Sequence, residues 1–396
     1  MSLTFQYEIL PTQTQRDKLW ETSRILNRVH NAFVELEQKT FKESNKYLNW
    51  IDLNNRLVSM KLEDPSLKQV YSQVLQEVSK RIHYAYMLFF KRVVMHPPRV
   101  RDEKWFYTIT YPQSGYSIRG SHLFTSSYGS IKIRMHRPIK GNIKQISISY
   151  RGKWYLNVIT DHQYNDKFNI NQTKVALDLG TKDLYTTELG EKMPPPKHLK
   201  YYDNLIDNLK SRRSKFTNGS RMFRRLSKVI RKLYVKKVNK TKDYLHKVSH
   251  HLSTQYDTVI MEDLNTKTMS ESKVRGRNRQ LRNTSIGKFV SMLKYKFKNV
   301  IKVNPMYTSQ TCCLCHHHIE KKLPLSNRTF KCPHCGLKLD RDHNAAVNIL
   351  QLGYAISTGP FRERNTILDL PELMYIDQDT KRCLEQAIGC EARALG

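Results

Sequence analysis

The sequence predicts an α/β chain built from several domains. Three observations carry this prediction. A β-rich stretch lies between about 104 and 161, after a long helical stretch. Short apolar strands then alternate with amphipathic helices from 174 onward. Two C-x-x-C pairs, Cys312/Cys315 and Cys332/Cys335, stand sixteen residues apart near the C-terminal end. With 396 residues the chain is long enough for two or three domains and a sizeable core.

Residues 3–10, LTFQYEIL, alternate as a half-buried strand, with Phe5 and Tyr7 on one face and Gln6 and Glu8 on the other. Thr12 and Gln15 form a capping-box pattern. Leu19, Thr22, Leu26, Val29, Phe33 and Leu36 follow at helical spacing. Asp64-Pro65 predicts the start of a second helix, through Val70, Val74, Val78, Ile82 and Ala85, stopping before Pro97-Pro98. Residues 12–95 therefore read as a helical insertion. WFYTITY, YGSIKIRM, IKQISISY and KWYLNVIT are short, rich in β-branched and aromatic residues, and separated by Gly or Pro. They predict a small antiparallel sheet or barrel that the 3–10 strand completes.

KVALDLG at 174–180 is an apolar strand ending in Asp178, and LYTTEL continues it as a hairpin. VIMEDLN at 259–265 is another apolar run, ending in Glu262 and Asp263. Ile286, Phe289, Val290, Leu293 and Phe297 mark a helix face, and KNVIKVNP a third apolar strand. After Asp342, Ala345, Ala346, Ile349 and Leu350 begin a further helix. Strands and helices in alternation predict an α/β layer.

Charge limits the partners. Lys and Arg number 68 against 35 Asp and Glu, a net charge of +33. The natural counterpart of such a surface is a polyanion, and phosphate-backbone binding is the leading reading. Residues 210–247 hold fifteen Lys or Arg and one acid, Asp243. They read as one or two basic helices with Leu226, Val229, Ile230, Leu233, Val238 and Leu245 as the apolar stripe. Like charges four residues apart repel, and a bound phosphate backbone relieves that cost. Arg224, Arg225, Lys228, Arg231 and Lys232 are the candidate contacts. The loop 270–285 is basic and poor in apolar residues, and reads as mobile.

The paired cysteines have the spacing of a four-thiolate zinc site, and zinc takes four soft ligands in a tetrahedron. Cys313, Cys383 and Cys390 are left over, an odd number that argues against a disulfide framework and for a reducing, cytoplasmic compartment. Cys313, between two ligands, reads as a small core filler. The N-terminus lacks the pattern of a signal peptide, and no apolar stretch approaches the roughly 20 residues of a membrane span. Acids stand where strands or a helix begin or end: Asp178, Glu262, and Asp340 or Asp342. Each alone reads as a turn residue. Together they match the need of metal-dependent phosphodiester cleavage for carboxylates converging from separate elements.

The order D-L-G (178–180), M-E-D-L-N (261–265), T-S-Q-T-C-x-x-C (308–315), C-P-x-C-G (332–336) and D-R-D-x-N-A-A-x-N-I (340–349) resembles TnpB, the transposon-encoded OrfB proteins, which are similar to compact type V CRISPR effectors. The resemblance is dense over the C-terminal half; the N-terminal half fits by length and pattern. It implies an RNase H-like RuvC nuclease domain (171–307 and 340–360) interrupted by a zinc-binding target-nucleic-acid domain (308–339). It further implies a wedge-like β-barrel (1–11 and 96–170), a helical recognition domain (12–95) and a C-terminal tail (361–396). By motif position Asp178, Glu262 and Asp342 are the RuvC carboxylates, with Asp342 preferred to Asp340 because it directly precedes x-N-A-A. The implied cofactors are two catalytic Mg²⁺ ions and one structural Zn²⁺. The implied partners are a guide RNA and a target DNA, inside a prokaryotic cell. His316-His317-His318 departs from the family, which usually has Gly after this knuckle. Three readings compete: an RNA-guided DNA endonuclease, an unguided RuvC-like nuclease or transposase, and a transposition-associated DNA-binding zinc protein without catalysis. In guided systems base pairing reads sequence, while the protein reads helix shape and a short flanking motif.

Overall fold

The computed structural model describes residues 3–162, 173–264, 285–320 and 327–358. It divides into two compact units, 1–163 and 164–396. The tail 361–396, most of the 270–285 loop, Cys383 and Cys390 lie outside the described residues.

In the first unit, β1 (Leu3–Leu10) buries Phe5, Tyr7 and Ile9 and turns Gln6 outward. It pairs antiparallel with β5 (Gly129–Arg134) on one side and β7 (Trp154–Thr160) on the other. It thus completes the sheet, as its alternation predicts. The seven-stranded order is β2-β6-β7-β1-β5-β4-β3, with β6 at Ile143–Tyr150. The two edges, β2 (Ile109–Tyr111) and β3 (Tyr116–Arg119), are consecutive in the chain, and the Tyr111 and Tyr116 rings lie 6.2 Å apart. The sheet therefore curls into a nearly closed barrel. The hairpin of β3 and β4 (His122–Thr125) is absent from the sequence reading. Its signal is the two-residue Gly120-Ser121 connection, with Gly120 at φ +54.

Helix α1 (Gln13–Ser44) opens with the expected capping box: the Gln15 amide donates to Thr12 Oγ1 (3.3 Å) and the Thr12 amide to Gln15 Oε1 (3.0 Å). Helix α2 (Trp50–Glu63) was not anticipated. Its Asn49/Asp52 capping box is present in the sequence, but it buries only Leu53 and Leu57, too narrow a stripe to register as periodicity. The helix expected from Asp64-Pro65 needs correcting. Asp64 caps a single 3₁₀ turn, Pro65–Gln69, and α3 starts afresh at Ser72 and ends at Phe90. The break follows from the Val70 amide bonding Leu67 O, three residues back, which closes the 3₁₀ turn.

The second unit is a five-stranded mixed sheet, order β10-β9-β8-β11-β12. Strands β8 (Lys174–Asp178), β11 (Thr258–Glu262) and β12 (Asn299–Val303) are parallel. The β9 (Tyr185–Thr187) and β10 (Lys192–Met193) strands extend it antiparallel. The basic segment forms two helices, α4 (His198–Ser214) and α5 (Arg221–Gln255), joined by packing of Tyr202 and Ile206 on Ile230. Leu226, Ile230 and Leu245 are buried, whereas Val229 and Val238 are exposed, so the apolar stripe is narrower than expected.

One face of this sheet packs on α5 and α6 (Ile286–Lys296) through Val175, Leu177, Val259 and Met261. The other face, Ala176 and Ile260, packs on α7 (Arg341–Thr358) through Ile349, Leu350 and Leu352. Gly353 of α7 presses on the sheet: a Cβ there would stand 2.5 Å from the Ile260 side chain. Among the described residues no helix is long and apolar enough to cross a membrane.

Candidate active site and zinc centre

Strand alternation fixes where the predicted acids point. Val175 and Leu177 face α5 and α6, so Asp178 faces the α7 side with Ala176; Val259 and Met261 do the same, so Glu262 joins Ile260. The register pairs Met261 with Leu177, so Asp178 and Glu262 end adjacent parallel strands at the same carboxyl edge. That edge is where open α/β sheets bind ligands. Helix α7 begins over it, and Asp342 is in its first turn.

Burial, together with the negative charges of Glu262 and Asp342, holds the Asp178 carboxyl well above the usual range; Arg341 pulls against them. Burial raises Glu262 to about 7, against the Thr308 hydroxyl, which donates to Glu262 Oε1 at 2.6 Å. Arg328 Nη1 lies 3.3 Å from Asp342 Oδ2. The sheet and α7 thus bring Asp178, Glu262 and Asp342 together.

Asp340 is different in kind. Its Oδ1 accepts the amides of Asp342 (3.0 Å) and His343 (3.2 Å), the hydrogen bonds of a helix N-cap. Its Oδ2 pairs with Lys192 at 2.6 Å. Although burial alone would raise it, these partners hold its pKa below the usual value. With both oxygens engaged, Asp340 builds the start of α7.

A carboxyl whose pKa rises on folding costs stability as pH rises. The unfolded chain releases the Glu262 proton near 4.5 and the folded chain near 7, so the penalty develops across that window and is full above it. The shift corresponds to about 3 kcal/mol at most. In Mg²⁺-free buffer, Glu262→Gln is expected to raise Tm at pH 7.5 and to lose that advantage by pH 4.5. Thermal scans of both proteins across the window check this; a pH-independent difference would contradict it.

Sequence reading did not find the side chains that tie this site to the cysteine segment. Asn344 Nδ2 donates to Thr311 O (2.8 Å) and Asn344 Oδ1 accepts the Cys313 amide (3.0 Å). Asn348 Nδ2 donates to Thr308 O (2.7 Å) and Thr311 O (2.8 Å), and Gln351 Nε2 to Cys313 O (2.9 Å). On the other flank the buried His343 bonds Glu188 O through Nε2 (2.9 Å), and Glu188 Oε2 accepts the Ala176 amide (2.9 Å). The N-A-A-x-N motif carried the signal, since two asparagines four apart on a buried helix face require polar partners.

The four cysteine Sγ atoms lie within 4.8 Å of one another. Cys312–Cys335 is 3.6 Å and Cys315–Cys332 is 3.5 Å. Zinc–sulfur bonds of about 2.3 Å in a tetrahedron place sulfurs about 3.8 Å apart, so the donor set and its size fit zinc. Cys332 and Cys335 lie between β13 (Thr329–Lys331) and β14 (Lys338–Asp340), and β14 leads directly into α7. Cys313 packs against Leu339 and Val347, as a filler. His317 stacks on His334 and His318 lies against Tyr307. His316 takes φ +56, matching Gly336 at +76 after the second knuckle; both amides bond back to the first cysteine of their pair. The left-handed turn explains why glycine suits this place.

Arg224, Arg225, Lys228, Arg231 and Lys232 are all exposed along α5. None of the five forms an ion pair among the described residues, whereas Lys237 pairs with Asp203 at 2.5 Å and Lys247 with Asp243 at 2.8 Å.

Comparisons with known proteins bear out the resemblance read from the sequence. The OrfB_IS605 family model, described as "Probable transposase", matches residues 157–273, and a model described as "Cas12f1-like, TNB domain" matches residues 287–349. Among curated proteins, "Putative RNA-guided DNA endonuclease InsQ" of Escherichia coli (strain K12) is 27% identical over 377 residues, 89% of this chain and 92% of that protein. A "Putative RNA-guided DNA endonuclease" of Streptomyces pristinaespiralis is 23% identical over 89% of this chain and 90% of that protein. Among solved structures, "Structure of the mini-RNA-guided endonuclease CRISPR-Cas_phi3" aligns with 89% of this chain and 92% of that one, at 10% identity and a TM-score of 0.44.

Proposed function

We propose that this chain, a relative of the TnpB proteins, is an RNA-guided DNA endonuclease that hydrolyses target phosphodiesters at Asp178, Glu262 and Asp342. The observation that carries the proposal is their convergence: burial and the charges of Glu262 and Asp342 raise Asp178. A buried carboxyl whose ionisation two neighbouring carboxylates disfavour, in a cluster of three acids drawn from separate elements, suits divalent metal. Asp178, Glu262 and Asp342 would hold two Mg²⁺ ions, which supply an activated water and stabilise the leaving oxygen when bound. The hard oxygen donors of the three residues fit Mg²⁺, and the soft thiolates of Cys312, Cys315, Cys332 and Cys335 fit one structural Zn²⁺. Arg328 would orient the Asp342 carboxylate, and the Asp340 cap fixes the turn that presents it.

In this reading 171–307 and 340–360 form the RuvC domain, 308–339 the zinc-binding target-nucleic-acid domain, 1–11 and 96–170 the wedge-like barrel, and 12–95 the recognition lobe. The exposed cations of α5 are the proposed seat of the guide RNA's backbone. The relatives named as RNA-guided endonucleases support the guided reading.

Changing Arg224, Arg225, Lys228, Arg231 and Lys232 together to Gln tests the RNA side. Each phosphate contact contributes about 0.7–0.9 to the log–log salt slope. The slope for RNA binding is expected to become shallower by several units with zinc content unchanged, and cleavage should fall with it. An unchanged slope would remove α5 from the RNA interface.

A further inference from the structure

The motif asparagines and Thr308 are not themselves acids of the carboxylate site, yet they link it to the zinc segment. Thr308 lies on the loop between β12 and Cys312 and is buried, with 2% of its surface exposed. Its hydroxyl donates to Glu262 Oε1 at 2.6 Å, closer than its alternative acceptor, Pro305 O, at 3.3 Å. Its carbonyl is fixed by Asn348 of α7, the helix whose first turn carries Asp342. Asn348 also holds Thr311 O, one residue before the first zinc ligand.

We propose that Thr308 is a positioning residue for Glu262, and that the clamp of Asn348 on Thr308 and Thr311 makes the orientation of this carboxylate depend on a correctly seated zinc segment. The inference rests on the reading of Glu262 as a metal ligand. A carboxylate at a strand end can rotate about its last side-chain bonds, and hydrogen bonds from outside the ligand set are what fix such groups. Here one oxygen is bound to a hydroxyl whose own backbone is held on α7. Three elements therefore meet at one bond: the end of β11, the loop into the zinc segment, and α7. The role also explains the residue types. Threonine supplies a donor with a methyl group that fills buried space, and asparagine supplies two donor hydrogens for two carbonyls.

The test compares Thr308→Val, which keeps the shape and removes the donor, with Thr308→Ser, which keeps the donor. Each RNA-loaded variant is assayed for cleavage rate against Mg²⁺ concentration, with target binding and zinc content measured alongside. For Thr308→Val the half-saturating Mg²⁺ concentration is expected to rise about 10- to 100-fold. Much of the rate should return at high Mg²⁺, and Thr308→Ser should recover the Mg²⁺ response. An unshifted Mg²⁺ response in Thr308→Val, or a defect that Thr308→Ser shares in full, overturns the inference. Glu262→Gln run in parallel separates the two levels. If it cleaves normally, the metal-ligand reading itself fails; if it is inactive while Thr308→Val behaves as wild type, only the positioning role fails.

Discussion

Asp178→Ala, Glu262→Ala and Asp342→Ala are each expected to lower cleavage by about 10³-fold or more, with RNA loading and target binding close to wild type. The expectation follows from what the three groups share. They end two neighbouring parallel strands and open the helix that covers them, and their charges bear on one another. In the proposed mechanism they would hold divalent metal, which would supply an activated water and charge stabilisation at the leaving oxygen, a contribution of several kcal/mol, each 1.4 kcal/mol being about tenfold in rate. They do not contact phosphate through positive charge, so affinity should survive. Asp340→Ala should behave otherwise. Loss of an N-cap costs about 0.5–2 kcal/mol of stability, so this variant should melt earlier while retaining much of its cleavage. Single-turnover cleavage beside gel-shift binding distinguishes the cases. Full cleavage by any of the first three would remove that residue from the site.

Cys332→Ser should have the second largest effect. Structural zinc contributes folding energy directly, about 10–16 kcal/mol in small zinc modules, so a knuckle that loses a thiolate loses most of its order. Zinc is expected to drop from one per chain to near zero by elemental analysis. The damage should not stay local, because Thr308, Thr311 and Cys313 are bound to Asn348, Asn344 and Gln351 of α7. Cleavage should therefore fall even though none of the three proposed metal-binding carboxylates was touched. Undiminished zinc would mean that His316–His318 or Cys313 completes the ligand set. The burial of Cys313 against Leu339 and Val347 argues against its doing so.

Features encoded over a few residues were legible in the sequence. The Thr12–Gln15 cap, the alternation of β1, the cysteine spacing and the acids at the ends of β8 and β11 each depend on neighbours within one element. What escaped depends on tertiary structure or on weak local patterns. Helix α2 shows one buried i, i+4 pair, and its Asn49/Asp52 cap stands before a helix that is otherwise solvated. The β3–β4 hairpin depends on one Gly-Ser connection. Asp64-Pro65 has the form of a helix start, but its 3₁₀ turn ends five residues later. Within the site, motif position already favoured Asp342 over Asp340, but the part Asp340 plays as the cap of α7 needed its hydrogen bonds to be seen. The Thr308–Glu262 bond spans 46 residues, and no periodicity or spacing could have revealed it.

The guided mechanism is tested most directly by comparing cleavage of one duplex by RNA-stripped protein, by protein loaded with RNA complementary to that duplex, and by protein loaded with RNA of an unrelated guide segment, all in Mg²⁺. Cutting is expected only with the complementary RNA, and exchanging the guide should move the cut to the duplex it matches. If RNA-free protein cuts as efficiently as the loaded particle, RNA guidance is contradicted and the chain is an unguided RuvC-like nuclease.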